Sequence, residues 1–316
     1  MSAIVYMRQL LLFIFTLFIL FGCVEQETPK KINLGERVAE PAVNAVGIRN
    51  DLLWFGFDLR LGPKEEVKIY TPFLKYLEES TGQHFRIKFT DKYMNTVENL
   101  GKGITQFASV GTLSYVIGRE KYGIKYLVSG VNHEGDPRYH AAIVTSHDSK
   151  IQNISQLKGK SFCFGSRMST QGHLIPRKMM EDQGVMLKDL GYYQYTGSHI
   201  NAANTVLNGE CDAGGIQDTL ANRLVTEGKI KIIGFSDPYP SSLIAYNADL
   251  DSQTVLNIKA ALLAFEPMST HKDMLFEWDK TEMPLGFTVL SEFEINKVTD
   301  LAKRYGLIKD EVKNKD

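Results

Sequence analysis

Phe164-Gly165-Ser166-Arg167-Met168-Ser169-Thr170-Gln171-Gly172-His173-Leu174-Ile175-Pro176 reads as the end of a strand, a glycine, a polar turn carrying adjacent hydroxyls, and the start of a helix. Ser or Thr at a helix start is common, because the hydroxyl accepts a bond from an orphan backbone N–H. More than a cap converges here. Free N–H groups, the positive end of a helix dipole and the hydroxyls of Ser169 and Thr170 meet at one strand-to-helix turn, which is how proteins hold phosphate-like anions. Tyr195-Thr196-Gly197-Ser198-His199-Ile200-Asn201 follows the same order: strand, glycine, hydroxyl, helix. A lone histidine at such a place is more often a surface or capping residue. Near the first turn, Ser198 and His199 become further donors to an oxyanion.

Outward from these turns, strands and helices alternate. Residues 52–57 form a continuous apolar run, the mark of a strand buried on both faces. Pro63 opens a helix with apolar positions at Val67, Tyr70, Phe73, Leu74 and Leu77, stopped at Gly82. The pattern predicts strands at 85–89, 107–110 and 126–131 and helices over 93–100 and 113–121. A second set follows, with strands at 141–145, 160–164, 192–195, 213–216, 230–235 and 243–246. Its helices are expected over 174–183 and 202–208, before helices over 254–265 and 292–305. Such alternation argues for mostly parallel sheets covered on both faces. The strands at 139–145 and 243–246 bracket a self-contained set of elements. The expected architecture is therefore α/β in two lobes, residues 46–140 with 245–316 and residues 141–244, joined by a two-stranded hinge. Ligands of open α/β sheets sit at the carboxyl ends of strands, and an interlobe cleft brings two sets of those ends together.

The chain start points outside the cytoplasm. Met7-Arg8-Gln9 precedes an uncharged run over 10–21, too short for a permanent span and suited to a signal-peptide core. It ends at Leu20-Phe21-Gly22-Cys23, which resembles a bacterial lipobox; lipidation of Cys23 and a polar tether over 23–45 are expected. Phe21 is bulkier than lipoboxes usually carry at that place. Lys and Arg number 36 against 37 Asp and Glu, so no basic excess points to nucleic acid. Of three cysteines, Cys163 and Cys211 remain after Cys23, with no CxxC and no zinc-like spacing. An exported protein can join them; two buried thiols are the plainer expectation.

These residues together resemble the phosphonate-binding (PhnD-type) family of periplasmic solute-binding proteins from ABC transporters. The resemblance runs from about Trp54 to Pro267. Its marks are Gly103 with Phe107-Ala108-Ser109-Val110-Gly111, Tyr139 before an apolar strand, and Leu157-Lys158-Gly159-Lys160. Ser169-Thr170 with Gly172 and Pro176, Gly197-Ser198-His199, and Gly209 with Asp212-Ala213 complete them. The resemblance implies a type II periplasmic-binding fold, with Ser169, Thr170 and His199 on the ligand oxygens and Tyr139 closing over them. Two departures matter. Gln171 stands where the family usually has a third small hydroxyl residue. Thr219 (beside Asp218) and Ser242 stand where aminoalkylphosphonate binders place carboxylates for the ammonium group. An unpaired cation in a closed cleft is costly, so phosphate, phosphite, a simple alkylphosphonate or another small oxyanion is the expected ligand.

Other chemistry finds little support. The sequence holds no Walker A loop, G-x-S-x-G elbow or HExxH. His133-Glu134-Gly135-Asp136 has metal-binding residue types but lies in a Gly/Pro-rich connection, and residues 280–286 suggest a cleft-rim or partner-contacting loop. A hydrolase built on Ser169 and His199 lacks a third residue to orient the histidine. No cofactor and no metal are expected, and the chain reads as a monomer that hands its ligand to an ABC permease. The alternative is a sensing subunit for a membrane-bound kinase or cyclase.

Overall fold

A computed structural model describes residues 52–57, 63–88, 90 and 96–309. The leader, Cys23 and the tether lie outside the described residues. In chain order the elements begin with β1 (Leu52–Phe57), α1 (Pro63–Thr81), β2 (His84–Lys88), α2 (Thr96–Gly101), β3 (Phe107–Gly111), α3 (Thr112–Tyr122) and β4 (Lys125–Gly130). The short strand β5 (Arg138–Tyr139) leads out to β6 (Ala141–Ser146), β7 (Ser161–Phe164), α4 (Ile175–Asp182), β8 (Tyr192–Tyr195) and α5 (His199–Leu207). Next come β9 (Ala213–Gln217), α6 (Asp218–Thr226) and β10 (Ile230–Phe235). The chain returns through β11 (Tyr239–Pro240) to β12 (Ser242–Tyr246), α7 (Ser252–Leu263), β13 (Phe287–Thr288) and α8 (Glu292–Arg304).

The strands make two sheets, ordered β13-β4-β12-β3-β1-β2 and β10-β6-β9-β7-β8, plus the ladder β11-β5 between them. Both sheets are mixed rather than mostly parallel. β1 runs parallel to β2 and β3, and β7 runs parallel to β8 and β9. β12 and β6, however, pair antiparallel with their neighbours. The reason is topological: these are the two strands that enter a sheet directly from the hinge, without a crossover helix to turn them. The expected lobe boundary between 244 and 245 falls inside β12, which lies wholly in the first sheet. The hinge ladder sits one step earlier, where Tyr239 opposes Tyr139 and Pro240 opposes Arg138.

Pro63 opens α1, and Glu65 and Glu66 in its first turn complement the helix dipole. Its buried face holds Ile69, Tyr70, Phe73, Leu74, Tyr76 and Leu77, while Val67 is exposed. Phe73 centres an aromatic cluster, with ring centroids 4.9 Å from Trp278, 5.2 Å from Phe265 and 6.1 Å from Phe55. Each such burial contributes about 1.5–3 kcal/mol. Helix α6 went unread, although Leu220, Ala221, Leu224 and Val225 stand at helical spacing; it buries Ala221 and Leu224. Helix α8 packs beside α3, with Arg119 donating to Thr299 Oγ1 at 2.9 Å, and reaches the second lobe where Arg304 meets Glu181 at 2.8 Å.

Cys163 and Cys211 are not separate thiols but a disulfide, with Cα atoms 5.9 Å apart. The bond ties β7, where Cys163 lies opposite Gly214 of β9, to the segment that leads into β9. Neither sulfur faces water, and Val206 covers both. The bond closes a loop across 48 residues, and such a constraint on the unfolded chain is worth about 2–4 kcal/mol. Replacing both cysteines with Ser is expected to lower unfolding stability by that amount in urea titration. An unchanged midpoint, or free thiols in the native oxidised protein, would contradict the pairing.

Candidate functional site

Four strands end at the same cleft. β3 delivers Gly111 and Ser114, β7 delivers residues 166–171, β8 delivers residues 197–200, and β9 ends at Gln217. The cleft has a volume of about 430 Å³. This is the carboxyl-end placement typical of ligand sites in open α/β sheets.

The turn after β7 is tightly built. Gly165 N–H donates to Gly172 O at 2.8 Å, and Ser169 N–H to Ser166 O at 2.9 Å. Residues Thr170–Leu174 then make one wide turn, with Leu174 N–H reaching Ser169 O at 3.1 Å, before α4 begins. Such π-type turns recur at functional sites. Ser169 caps it, its Oγ accepting from Gly172 N–H at 2.9 Å. Thr170 Oγ1 accepts from Leu113 N–H of α3 at 3.0 Å, a bond between the lobes. Each hydroxyl thus has a lone pair satisfied by a protein N–H, and its own hydrogen remains available as a donor.

His199 stands against this turn, with Nε2 3.4 Å from Ser169 Oγ. Its Nδ1 accepts from Gln217 N–H at 3.2 Å, so Nδ1 carries no proton and the neutral ring bears its hydrogen on Nε2. The arrangement superficially resembles a Ser–His dyad but runs the wrong way: an Nε2–H group is a donor and cannot take the serine proton. The close approach requires Gly172, where a Cβ would stand 2.9 Å from His199 Cε1 and 2.9 Å from Ser169 Oγ. Gly197, at φ +89°, supplies the left-handed turn that starts α5.

The other expected residues divide. Ser198 caps α5, accepting from Asn201 N–H at 3.1 Å, and lines the cleft. Gln171 lines the cleft but turns its amide toward the hinge, 3.1 Å from Tyr239 O. Tyr139 is buried in β5 outside the cleft wall, its hydroxyl donating to Glu282 O at 3.0 Å. Thr219 reaches the wall, whereas Ser242 is buried away from it. Asp218, beside Thr219, accepts from His140 N–H at 2.8 Å, and burial raises its pKa.

Several cleft residues went unread. Glu66 and Tyr70 come from α1, where the acid registers only as a helix-dipole partner. Lys280, Thr281 and Glu282, by contrast, belong to the 280–286 stretch read as a cleft-rim or partner-contacting loop, and they line the cleft. Glu282 accepts from Ser241 Oγ at 2.7 Å. The cleft therefore does contain carboxylates, on its first-lobe wall, at positions other than Thr219 and Ser242. In the 133–136 stretch, Asp136 pairs with Arg138 at 2.7 Å. No cluster of three His, Cys, Asp or Glu side chains suited to a metal occurs among the described residues.

Two mixed α/β lobes on a two-stranded hinge, with donor-bearing turns facing one cleft, define a bilobed solute-binding protein. Residues 55–287 match the family described as ABC transporter, phosphonate, periplasmic substrate-binding protein, and the chain belongs to that family. The phosphate-import protein PhnD of Mycolicibacterium smegmatis is 26% identical over 207 residues, covering 60% of this chain and 64% of that protein. The match thus spans just under two thirds of that relative's length. PhnD1 of Prochlorococcus marinus (MIT 9301), solved with methylphosphonate, superposes with a TM-score of 0.71 at 17% identity, over 82% of this chain and 99% of that one. A binding-protein component of an ABC phosphonate transporter from Pseudomonas aeruginosa gives 0.69 at 19% identity, over 81% and 86%. At these identities the structures establish the fold alone.

Behind the turn, His173 is buried, its Nδ1–H donating to Arg167 O at 2.7 Å and its Nε2 accepting from Tyr195 Oη at 3.1 Å. Burial, reinforced by Arg177 and Arg167, pushes its pKa down to about 4. The unfolded chain binds this proton near pH 6.5 and the folded one does not. Stability is therefore complete above about 6.5 and is lost as pH falls toward 4, by about 3 kcal/mol in all. Unfolding midpoints should fall across that window, and the His173 ring should stay neutral by NMR down to about pH 4. A ring titrating near 6.5 would contradict the assignment.

Proposed function

We propose that this chain is an extracytoplasmic, lipid-anchored binding protein that captures a phosphonate- or phosphate-type oxyanion between its lobes and presents it to an ABC permease. One observation carries the ligand assignment. Ser169 Oγ, Thr170 Oγ1 and His199 Nε2, the last as a neutral donor, sit on adjoining turns with their other polar positions already engaged by backbone N–H groups. Such a set offers hydrogens and few acceptors, which suits an oxyanion. The methylphosphonate bound to the Prochlorococcus protein and the phosphate-import role of the mycobacterial relative support the same class.

The cleft volume of about 430 Å³ falls in the range of small organic ligand sites. The carboxylates of the opposite wall make an amine-bearing oxyanion worth including in a screen. Hinge closure over the ligand is the expected working motion. The uncharged run over 10–21 ending at Gly22-Cys23 supports lipid anchoring. Among the described residues no helix is long and apolar enough to cross a membrane.

The test is calorimetry of the purified chain with inorganic phosphate, methylphosphonate, 2-aminoethylphosphonate and sulfate. Ser169→Ala with Thr170→Ala should abolish binding of whichever ligand the parent takes. His199→Ala should weaken it by about 1.5–3 kcal/mol, the range for a bond to a charged group. If the hydroxyls serve only as caps, the double variant loses about 1 kcal/mol of stability for each cap at unchanged affinity, and the site assignment fails.

A further inference from the structure

Gln171 occupies the turn beside Thr170 and is almost fully buried. Its Nε2 lies 3.1 Å from Tyr239 O, 3.4 Å from Pro240 O and 3.5 Å from Tyr139 O. Three carbonyl oxygens around one position require the amide NH₂ there, since the amide oxygen would face acceptors only. One of those carbonyls belongs to β5 and two to β11, so the side chain grips both strands of the hinge. Its own main chain is part of the turn whose hydroxyls face the cleft, and Thr170 next to it is bonded to α3 of the first lobe. A serine or threonine at 171 is too short to reach these carbonyls.

The geometry points to Gln171 as a positioning residue that couples occupancy of the anion turn to the setting of the hinge. Rotation of the lobes bends β5 and β11 through their backbone dihedrals and re-aims the carbonyls at 139, 239 and 240, and the amide transmits that change to the turn. Ligand on the turn then holds the hinge, and the hinge holds the turn. This role rests on the cleft being an oxyanion site and replaces direct ligation by the Gln171 side chain, whose two amide hydrogens are committed to the hinge.

Two near-isosteric variants test it. Gln171→Met keeps the volume and removes both donors; Gln171→Glu turns the group into an acceptor facing three acceptors. Gln171→Ser serves if either fails to fold. Spin labels at Lys75 on α1 and Asn222 on α6, both exposed, report the interlobe distance without ligand. Stopped-flow mixing with methylphosphonate, or inorganic phosphate if that binds better, reports the rates. Coupling predicts a shifted or broadened interlobe distance in the unliganded variants. It also predicts at least about tenfold faster ligand dissociation, with association changed less than about twofold. An unchanged distance overturns the proposal, whether affinity drops (direct contact) or only thermal stability drops (packing). If the parent binds none of the oxyanions, the functional reading fails, while the unliganded distance still decides whether Gln171 sets the hinge.

Discussion

The absence of a side chain at Gly172 is the constraint on which the site depends. His199 can lie against the turn after β7 only because nothing projects from that position, where a Cβ would come within 2.9 Å of the imidazole. The same residue's N–H is the one Ser169 caps, and its carbonyl receives Gly165 N–H at the strand end. One glycine thereby ties together the end of β7, the start of the helix and the histidine of the neighbouring turn. Interiors are packed too closely for this to be relaxed cheaply, so the donors are set before any ligand arrives and little reorganisation is left to oppose binding.

A second layer fixes the turn from outside the cleft. His173, itself held by the Tyr195 hydroxyl, donates to the Arg167 carbonyl, Leu113 holds Thr170 from the other lobe, and the Gln171 amide reaches the hinge. These partners come from α3 in the first lobe, β8 in the second and the ladder between them. The turn sits where the two lobes and the hinge meet, so a local change of ligand contact can be felt as a change of lobe angle. This belongs to the general class of hinge closure, in which a few element-terminal residues absorb the motion.

Much of this was legible in the sequence because the decisive features are local. A strand followed by glycine, hydroxyl and helix occurs twice within forty residues, and both turns face the cleft. The alternation of strands and helices located most elements within a few residues. What escaped depends on contacts distant in the chain. Glu66 looks like an ordinary first-turn acid until α1 is packed beside the cleft, and the rim-loop reading of 280–286 does not single out Glu282 as a carboxylate of the wall. The disulfide depends on β7 and the segment before β9 being brought side by side in the fold, which spacing alone does not reveal. Gln171 reads as a substituted ligand, and only the positions of the carbonyls at 139, 239 and 240 turn its amide into a hinge contact. The boundary at 244/245 cuts through β12 because the two-residue strand β11, which pairs with β5, is too short to show a period in the sequence.

The most direct test of the central claim is a crystal structure of the chain with methylphosphonate, or with phosphate if calorimetry prefers it. The account predicts anion oxygens within about 2.7–3.2 Å of Ser169 Oγ, Thr170 Oγ1 and His199 Nε2, with His199 Nδ1 still accepting from Gln217 N–H. An anion seated instead against Arg223 or Lys280, leaving the turn after β7 untouched, would contradict it.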